Sequence, residues 1–136
     1  MAFLLDINVL VALFDSSHAN HDAAHDWFGR AGSPSWATCP ITENGFIVVQ
    51  ATPNDIMERL ARFCALPGHA FWPDDISHTT ALDADAHARL QGCHQLTDFY
   101  LAALAAHKGG KLATFDGSFA RSLNGAPLAH ALQLLR

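Results

Sequence analysis

Short apolar runs recur along the chain and alternate with longer stretches that have helical periodicity. The short runs predict strands at residues 2–5, 36–39, 70–72, 111–115 and 129–135. The longer stretches predict helices at residues 8–14, 18–30, 41–51, 55–66, 77–82, 84–90 and 96–107. Strands separated by helices require crossover connections. The pattern therefore predicts an α/β fold with a parallel, five-stranded sheet and helices on both faces.

Two helix boundaries carry recognisable capping signals. Asn54 is a predicted N-cap for the helix at residues 55–66, and Pro67-Gly68 would end that helix. Thr97 is the predicted cap of the alanine- and leucine-rich helix at residues 96–107, which Gly109-Gly110 would end. This helix, the strongest in the chain, would lead directly into the fourth strand.

Composition limits the possible classes of protein. Half of the 136 residues are hydrophobic and 15% are charged, which predicts one folded domain over residues 1–136. Eight basic and 13 acidic side chains give a net charge of −5, so binding of nucleic acid by bulk positive charge is excluded. A polyanionic partner would have to be held locally, by a few cations or by a metal ion.

Cysteine usage and the first residues bear on location. Cys39, Cys64 and Cys93 are odd in number and form no Cys-x-x-Cys motif, which favours reduced thiols in a cytosolic protein. The N-terminus has no basic region, and the longest apolar runs, such as residues 99–106, are too short for a membrane span. We therefore expect a cytoplasmic protein with no membrane association.

Four acidic residues follow predicted strands or begin the strongest helix. Asp6 and Asp116 come directly after strands one and four, Asp98 lies in the first turn of the helix before strand four, and Glu43 follows strand two. In parallel sheets, sites form outside the carboxyl ends of the strands, where the strand order reverses. If strands one and four are neighbours, Asp6, Asp98 and Asp116 converge on one pocket, with Glu43 joining from strand two.

Several carboxylates in one pocket repel each other and raise one another's pKa unless a cation joins them. All-oxygen ligands suit a hard ion, Mg²⁺ or Mn²⁺, which Asp6, Asp98 and Asp116 would hold. Such a site predicts attack of water on a phosphodiester. Each acid also has a simpler role by itself: Asp6 as a helix cap, Asp98 as an acid favoured by the helix dipole, Asp116 in a turn.

Two other functions compete with this interpretation. The first is a non-catalytic α/β module whose acidic pocket binds metal or a basic peptide. The second is an aspartate-based phosphatase, whose usual pattern needs another Asp two residues after the first, where this chain has Asn8. Asp74 and Asp75 follow strand three and are left out of the site because strand three is expected far from strand four.

Two further groups of polar residues need an interpretation. The residues His18, His21 and His25 have helical spacing that could place a zinc site, but a polar helix face explains them more simply. Arg121 closely follows Asp116 and is the best candidate for a contact with the phosphate backbone of a nucleic acid.

Four blocks of sequence, taken together, resemble those of a known family. They are LLDINVL at residues 4–10, Thr42-Glu43, LTD at residues 96–98 and ATFD at residues 113–116. In this order and spacing the chain resembles the PIN-domain nucleases, and within them the VapC-type ribonuclease toxins of toxin–antitoxin modules. The resemblance covers nearly the whole chain.

The resemblance implies an α/β/α sandwich and a Mg²⁺- or Mn²⁺-dependent endoribonuclease that leaves 5′-phosphate and 3′-hydroxyl ends. It implies a homodimer and a bound antitoxin that blocks the site. The matching acidic positions are Asp6, Glu43, Asp98 and Asp116. Asn8 and Thr114 match polar positions beside them, where hydrogen bonds would orient carboxylates or water.

Overall fold

Five short parallel strands form the centre of the molecule in the computed structural model, which describes residues 1–50 and 52–136. The strands are β1 (Phe3–Leu5), β2 (Trp36–Thr38), β3 (His69–Phe71), β4 (Lys111–Thr114) and β5 (Leu132–Leu134). Their order is β3-β2-β1-β4-β5, and every neighbouring pair is parallel. The predicted parallel sheet is therefore confirmed, and strands one and four are neighbours, which was the condition for bringing the aspartates together.

Eight α-helices connect and cover the strands in the described part of the chain. They are α1 (Ile7–Phe14), α2 (His21–Trp27), α3 (Pro40–Val48), α4 (Pro53–Cys64), α5 (His78–Ala81), α6 (Ala84–Arg89), α7 (Leu96–His107) and α8 (Gly117–Ser122). A π-helical turn at Phe28–Gly32 and 3₁₀ turns at Cys93–Gln95 and Pro127–Ala131 complete the set. None of these helices is long and apolar enough to cross a membrane.

Several predicted boundaries are wrong, each for a local reason. The last strand begins at residue 132, not 129, because Pro127 starts a 3₁₀ turn in its place. Helix α2 begins three residues later than predicted, and α3 ends at Val48; position 51 of that prediction lies outside the described residues. Helix α8, which follows the fourth strand, was not predicted.

Both predicted N-caps are also wrong. Helix α4 begins at Pro53, whose missing N–H and fixed φ suit a first helical position, so Asn54 lies inside the helix. The 3₁₀ turn before α7 runs straight into it, so that Gln95 occupies the cap position with helical backbone angles. Thr97 therefore lies in the first turn of α7 and caps nothing.

Side chains that alternate along the strands divide the core into two layers. Leu4 and Leu112 are fully buried on one face, in a cluster that includes residues of α6, α7 and α8. Leu5 and Ala113 are fully buried on the other face, in a cluster that includes residues of α1 to α4. Helices on both faces make the predicted three-layer α/β/α sandwich.

Helix α7 connects the buried core with the edge of the sheet where the strands end. Its residues from Phe99 to Ala105 are all buried, which explains the absence of a polar face in the sequence. The helix is followed by Gly109, whose φ of +74° favours glycine, and β4 then returns through the sheet. Because α7 precedes the parallel strand β4, its first turn lies at the carboxyl edge of the sheet.

Candidate active site

The register between β1 and β4 brings Asp6 and Thr114 side by side. Leu5 pairs with Ala113, and the Asp6 backbone N–H donates to the Ala113 carbonyl over 3.0 Å. Asp6, directly after β1, therefore lies beside Thr114, the last residue of β4. Asp6 and Thr114 are 5% and 0% exposed, so their polar side chains must find partners inside the protein.

The Asp6 carboxylate is held by three hydrogen bonds. Its Oδ1 accepts from the Ile7 backbone N–H over 2.8 Å. Asp6 thereby caps α1, which was one of the two roles predicted for it from the sequence. Its Oδ2 accepts from the Thr114 hydroxyl over 2.7 Å and from the Asn8 amide over 3.3 Å. Burial raises the pKa of Asp6, the bonds from Thr114 and Ile7 oppose that rise, and the charge of Asp116 adds to it.

Thr114 is the centre of this network. Its hydroxyl oxygen accepts from the Asn8 amide and from the Asp116 backbone N–H, each over 3.0 Å. Because both of those partners are donors, the single hydroxyl proton is free to be given to Asp6. The Asn8 carbonyl accepts from the Phe115 N–H over 3.1 Å, which fixes the orientation of its amide. The structure thus brings Asn8 and Thr114 into direct contact with Asp6.

Asp116 caps α8 while it belongs to the same cluster. Its Oδ1 accepts from the Phe119 backbone N–H over 2.9 Å. This single bond leaves lone pairs on both carboxylate oxygens. The alternative role of Asp6 was a helix cap and that of Asp116 a turn; both residues cap helices here, and each keeps lone pairs for an acidic site.

Asp98 completes the group from the first turn of α7. Partial burial raises its pKa to about 7, and the charges of Asp6 and Asp116 contribute in the same direction. The charges of Asp6 and Asp116 thus act on Asp98, and the charge of Asp116 acts on Asp6. Asp6, Asp98 and Asp116 all lie at the carboxyl edge of the sheet, and their action as one site stays a prediction.

A hard divalent cation fits this donor set. The three carboxyl groups come from different elements at the carboxyl edge of the sheet, and the charges of Asp6 and Asp116 oppose ionisation of Asp98 in the absence of a cation. The Ile7 N–H uses one lone pair of Asp6 Oδ1 and leaves the other for a ligand bond. Oxygen donors of this kind suit Mg²⁺ or Mn²⁺ better than a soft metal.

A cavity of about 380 Å³ is lined by residues adjacent in the chain to two of the aspartates. Ile7 and Thr97, the chain neighbours of Asp6 and Asp98, both line it. Asp74 also lines it, and its Oδ1 is buried without a hydrogen-bond partner among the described residues. Strand three is far from strand four, as expected, but the loop after β3 returns Asp74 towards the site, which the strand order alone did not reveal.

Glu43 has different neighbours in this structure. Its Oε2 accepts a 2.6 Å hydrogen bond from the fully buried Thr38 hydroxyl. Its carboxylate lies with the Cys64 thiol and the His69 ring, the ligand atoms of the three residues being within 4.8 Å of one another. Within the described residues, its hydrogen bonding is to Thr38 and not to the aspartates.

Cys64 and His69 are functional candidates that sequence reasoning missed. They end α4 and begin β3, and only the packing of these elements beside α3 brings them to Glu43. Burial lowers the pKa of His69, and the nearby charge of Glu43 opposes this change. Burial likewise raises the pKa of the Cys64 thiol, and the hydrogen bond with Thr38 opposes that rise. The only feature of the sequence that could have indicated a shared site is the short separation of Cys64 and His69, which are five residues apart.

The remaining candidates have simpler surroundings. His21 and His25 each place a ring nitrogen 2.8 Å from a backbone carbonyl, Ala12 and Leu13 respectively, in the last turn of α1. They satisfy carbonyl groups that lack a partner within the helix, which agrees with a structural role. Arg121 is exposed on α8, five residues after Asp116.

Comparison with known families and curated proteins gives consistent matches. The PIN domain family model matches residues 3–122. Ribonuclease VapC39 of Mycobacterium tuberculosis (strain ATCC 25618 / H37Rv) is 41% identical over 131 residues, which cover 90% of this chain and 94% of that protein. Ribonuclease VapC44 of the same strain is 36% identical, over 98% of this chain and 100% of that protein.

Two solved structures share the fold. One is described as VapBC2 from Rickettsia felis bound to a DNA fragment from their promoter; it has a TM-score of 0.67, 12% identity and full coverage of both chains. The other is FitAcB from Neisseria gonorrhoeae, with a TM-score of 0.66 and 21% identity over 88% of this chain and 92% of that chain. At these identities the likeness supports the three-layer fold.

Proposed function

This chain belongs to the PIN domain family, and we propose that it is a metal-dependent endoribonuclease, the toxin of a toxin–antitoxin pair. The curated relatives, at 36–41% identity over most of their length, are ribonucleases of the VapC group. The observation that carries the proposal is the hydrogen-bonded group of Asp6, Asn8 and Thr114 at the carboxyl edge of the sheet. The charges of Asp6 and Asp116 raise the pKa of Asp98 beside it.

In the proposed mechanism Asp6, Asp98 and Asp116 would hold Mg²⁺ or Mn²⁺. When bound, the ion supplies the positive charge that activates water for attack and offsets the charge developing on the phosphodiester. The Thr114 hydroxyl and the Asn8 amide keep the Asp6 carboxylate in one orientation. Because this orientation is set before substrate arrives, little reorganisation is needed during the reaction.

Glu43 is proposed as the fourth carboxylate of the site, from its position in the family pattern. The Thr38 hydroxyl now holds its carboxylate on the side of β2 that faces β3. To act with the aspartates, Glu43 would exchange this hydrogen bond for contacts at the acidic cluster. Glu43 therefore has two alternative sets of partners in this proposal: Thr38 in the present structure and the aspartates during the reaction.

RNA and protein partners follow from the charge of the site. A protein with a net charge of −5 needs local positive charge to hold RNA, and we propose that Arg121, in the helix capped by Asp116, contributes it. The same acidic pocket would attract an arginine from an antitoxin, which pairs with carboxylates in a bidentate geometry. We further propose a homodimer and, since all three cysteines are free, a cytoplasmic location.

The aspartate-phosphatase alternative is weaker than the nuclease proposal. That chemistry requires an acid at the position that Asn8 occupies. The Asn8 amide instead contacts both Asp6 and Thr114, and its carbonyl accepts from Phe115. Asn8 therefore supports a carboxylate rather than exchanging a proton with a substrate.

Cleavage of total cellular RNA by the purified protein tests the proposal. Wild type is compared with Asp6→Asn and with Asp26→Asn, a control at an exposed position on α2, in Mg²⁺, Mn²⁺ or chelator. We expect discrete fragments from wild type and the control in metal, and none from Asp6→Asn or in chelator. Absence of cleavage in both metals, or equal cleavage by folded Asp6→Asn, would favour the non-catalytic binding module.

A further inference from the structure

A second group of potential metal ligands lies on the β2–β3 side of the sheet. Glu43 from α3, Cys64 from the end of α4 and His69 from the start of β3 bring their ligand atoms within 4.8 Å of one another. They line a cavity of about 340 Å³ that opens between α3, α4 and β3. All three residues are half-buried, so the group is reachable from solvent.

One buried hydroxyl organises these side chains. Thr38 Oγ1 lies 2.6 Å from Glu43 Oε2, 2.8 Å from His69 Nε2 and 3.9 Å from Cys64 Sγ. Thr38 is fully buried at the end of β2, a position fixed by the sheet. The three side chains are thus gathered around a rigid point before any ligand arrives.

The ligand types differ from those of the aspartate site. A thiolate, an imidazole and a carboxylate form a set typical of Zn²⁺, which binds them at roughly 2.0–2.3 Å with tetrahedral geometry. Ligand atoms around such an ion lie roughly 3.3–3.8 Å apart, so a small rotation of the side chains closes the present spacing. Mg²⁺ and Mn²⁺ prefer oxygen donors and are poor competitors for a thiolate.

We propose that Glu43, Cys64 and His69 form a binding site for Zn²⁺, separate from the three aspartates, with water or another ligand in the fourth position. Binding would release the thiol proton of Cys64 to solvent. The Thr38 hydroxyl would continue to orient the coordinated carboxylate, as polar partners of metal ligands commonly do.

Occupation of this site has a consequence for activity, which rests on the proposed ribonuclease function. Zn²⁺ would fix Glu43 on the β3 side and withhold it from the acidic cluster. The ion would then inhibit RNA cleavage without displacing Mg²⁺ from Asp6, Asp98 and Asp116. Because Cys64 and His69 take no part in the proposed reaction, they would be needed for inhibition and not for cleavage.

Cobalt spectroscopy tests the site directly. Co²⁺ replaces Zn²⁺ at such sites, and a bound thiolate gives a charge-transfer absorption that oxygen ligands cannot produce. Reduced, full-length protein in excess Mg²⁺ is titrated with Co²⁺, and Zn²⁺ is then added. We expect one equivalent of Co²⁺ to produce this absorption and Zn²⁺ to abolish it; absence of the absorption in folded wild type overturns the proposal.

Matched variants identify the ligands. Cys64→Ser and His69→Gln are compared with Cys93→Ser and His87→Gln, which alter exposed residues outside the cluster. Loss of a supporting partner alone costs about 10- to 100-fold in metal affinity, so loss of a ligand should weaken Zn²⁺ binding at least tenfold. The two control variants should bind as wild type does. Equal affinity in all five proteins overturns the assignment.

Thiol labelling of the wild type covers the case in which Cys64→Ser does not fold. Zn²⁺ should protect Cys64, but not the exposed Cys93, from alkylation detected by mass spectrometry. Equal labelling of Cys64 with and without Zn²⁺ contradicts the site.

RNA cleavage in excess Mg²⁺ then tests the inhibitory consequence. We expect Zn²⁺ to inhibit wild type, and at least tenfold more Zn²⁺ to be required for Cys64→Ser. Equal inhibition of both proteins overturns this consequence. A wild type inactive in every metal overturns the proposed function and its inhibition together, while cobalt absorption still decides whether the Zn²⁺ site exists.

Discussion

Replacement of Asp98 by asparagine should stabilise the metal-free protein at neutral and alkaline pH. In the folded protein, burial and the charges of Asp6 and Asp116 raise the pKa of Asp98 to about 7 from an ordinary value of 3.8. Folding therefore favours the protonated acid, and stability is lost as the pH rises from about 4 to about 7. Above that window the loss is complete, and below it the loss disappears. An asparagine side chain at this position carries no charge at any pH and avoids the loss.

The magnitude follows from the size of the pKa change. At about 1.36 kcal/mol per pKa unit, the difference between 3.8 and about 7 corresponds to at most about 4 kcal/mol. Asp98 is only partly buried, and solvent screens its interactions, so we take about half of this limit. Asp98→Asn should thus raise the free energy of unfolding by about 2 kcal/mol at pH 8 and by little at pH 4.

Urea denaturation followed by tryptophan fluorescence measures this difference. Wild type, Asp98→Asn and the exposed control Asp26→Asn are compared in chelator between pH 4 and pH 8. The control should differ from wild type by a small amount at every pH. An Asp98→Asn protein less stable than wild type at pH 8, or one shifted equally at pH 4 and pH 8, would refute the raised pKa of Asp98 on which this prediction rests.

Three further predictions test other parts of the structure. Mg²⁺ should stabilise wild type more than Asp98→Asn in thermal unfolding at pH 8, because a ligand that binds only the folded state raises its stability. Equal stabilisation of both proteins would argue against Asp98 as a ligand. Thr114→Val removes the hydroxyl that holds Asp6, so it should lower the free energy of unfolding by about 1–3 kcal/mol and the rate of RNA cleavage at least tenfold. A Thr114→Val protein that cleaves RNA as fast as wild type would contradict that role. Gly110→Ala should cost roughly 1–3 kcal/mol in urea denaturation because its Cβ would clash with the Ala2 carbonyl. Gly29→Ala is the control, because a Cβ added at Gly29 would meet no atom within 4 Å, and it should change the free energy of unfolding by less than about 0.5 kcal/mol. Equal effects of Gly110→Ala and Gly29→Ala would disprove the clash.

The aspartate cluster could be predicted from sequence because it depends on chain topology. Alternation of strands and helices implies parallel crossovers, and parallel strands end at one edge. Asp6 and Asp116 follow strands that are neighbours, and α7 must begin at the same edge to feed β4. Positions of this kind need no knowledge of side-chain packing.

The surroundings of Glu43 could not be predicted in the same way. Its place on α3 was evident, but the contact with Thr38 depends on how that helix is rotated against the sheet. His69 and Cys64 reach it through the packing of β3 and α4, which no local pattern encodes. The predictions of the two helix N-caps were wrong because α4 begins at Pro53 and a 3₁₀ turn leads directly into α7, so neither Asn54 nor Thr97 occupies a cap position.

The chemical nature of the RNA ends tests the central claim most directly. If water attacks the phosphodiester at the site formed by Asp6, Asp98 and Asp116, the fragments should have 5′-phosphate and 3′-hydroxyl ends. These fragments should form in Mg²⁺ or Mn²⁺ and be absent with Asp116→Asn. Ligation of adapters to untreated fragments reads these ends without knowledge of the target. Fragments with 5′-hydroxyl and cyclic phosphate ends, produced equally in chelator, would show attack by the ribose 2′-hydroxyl and contradict the account.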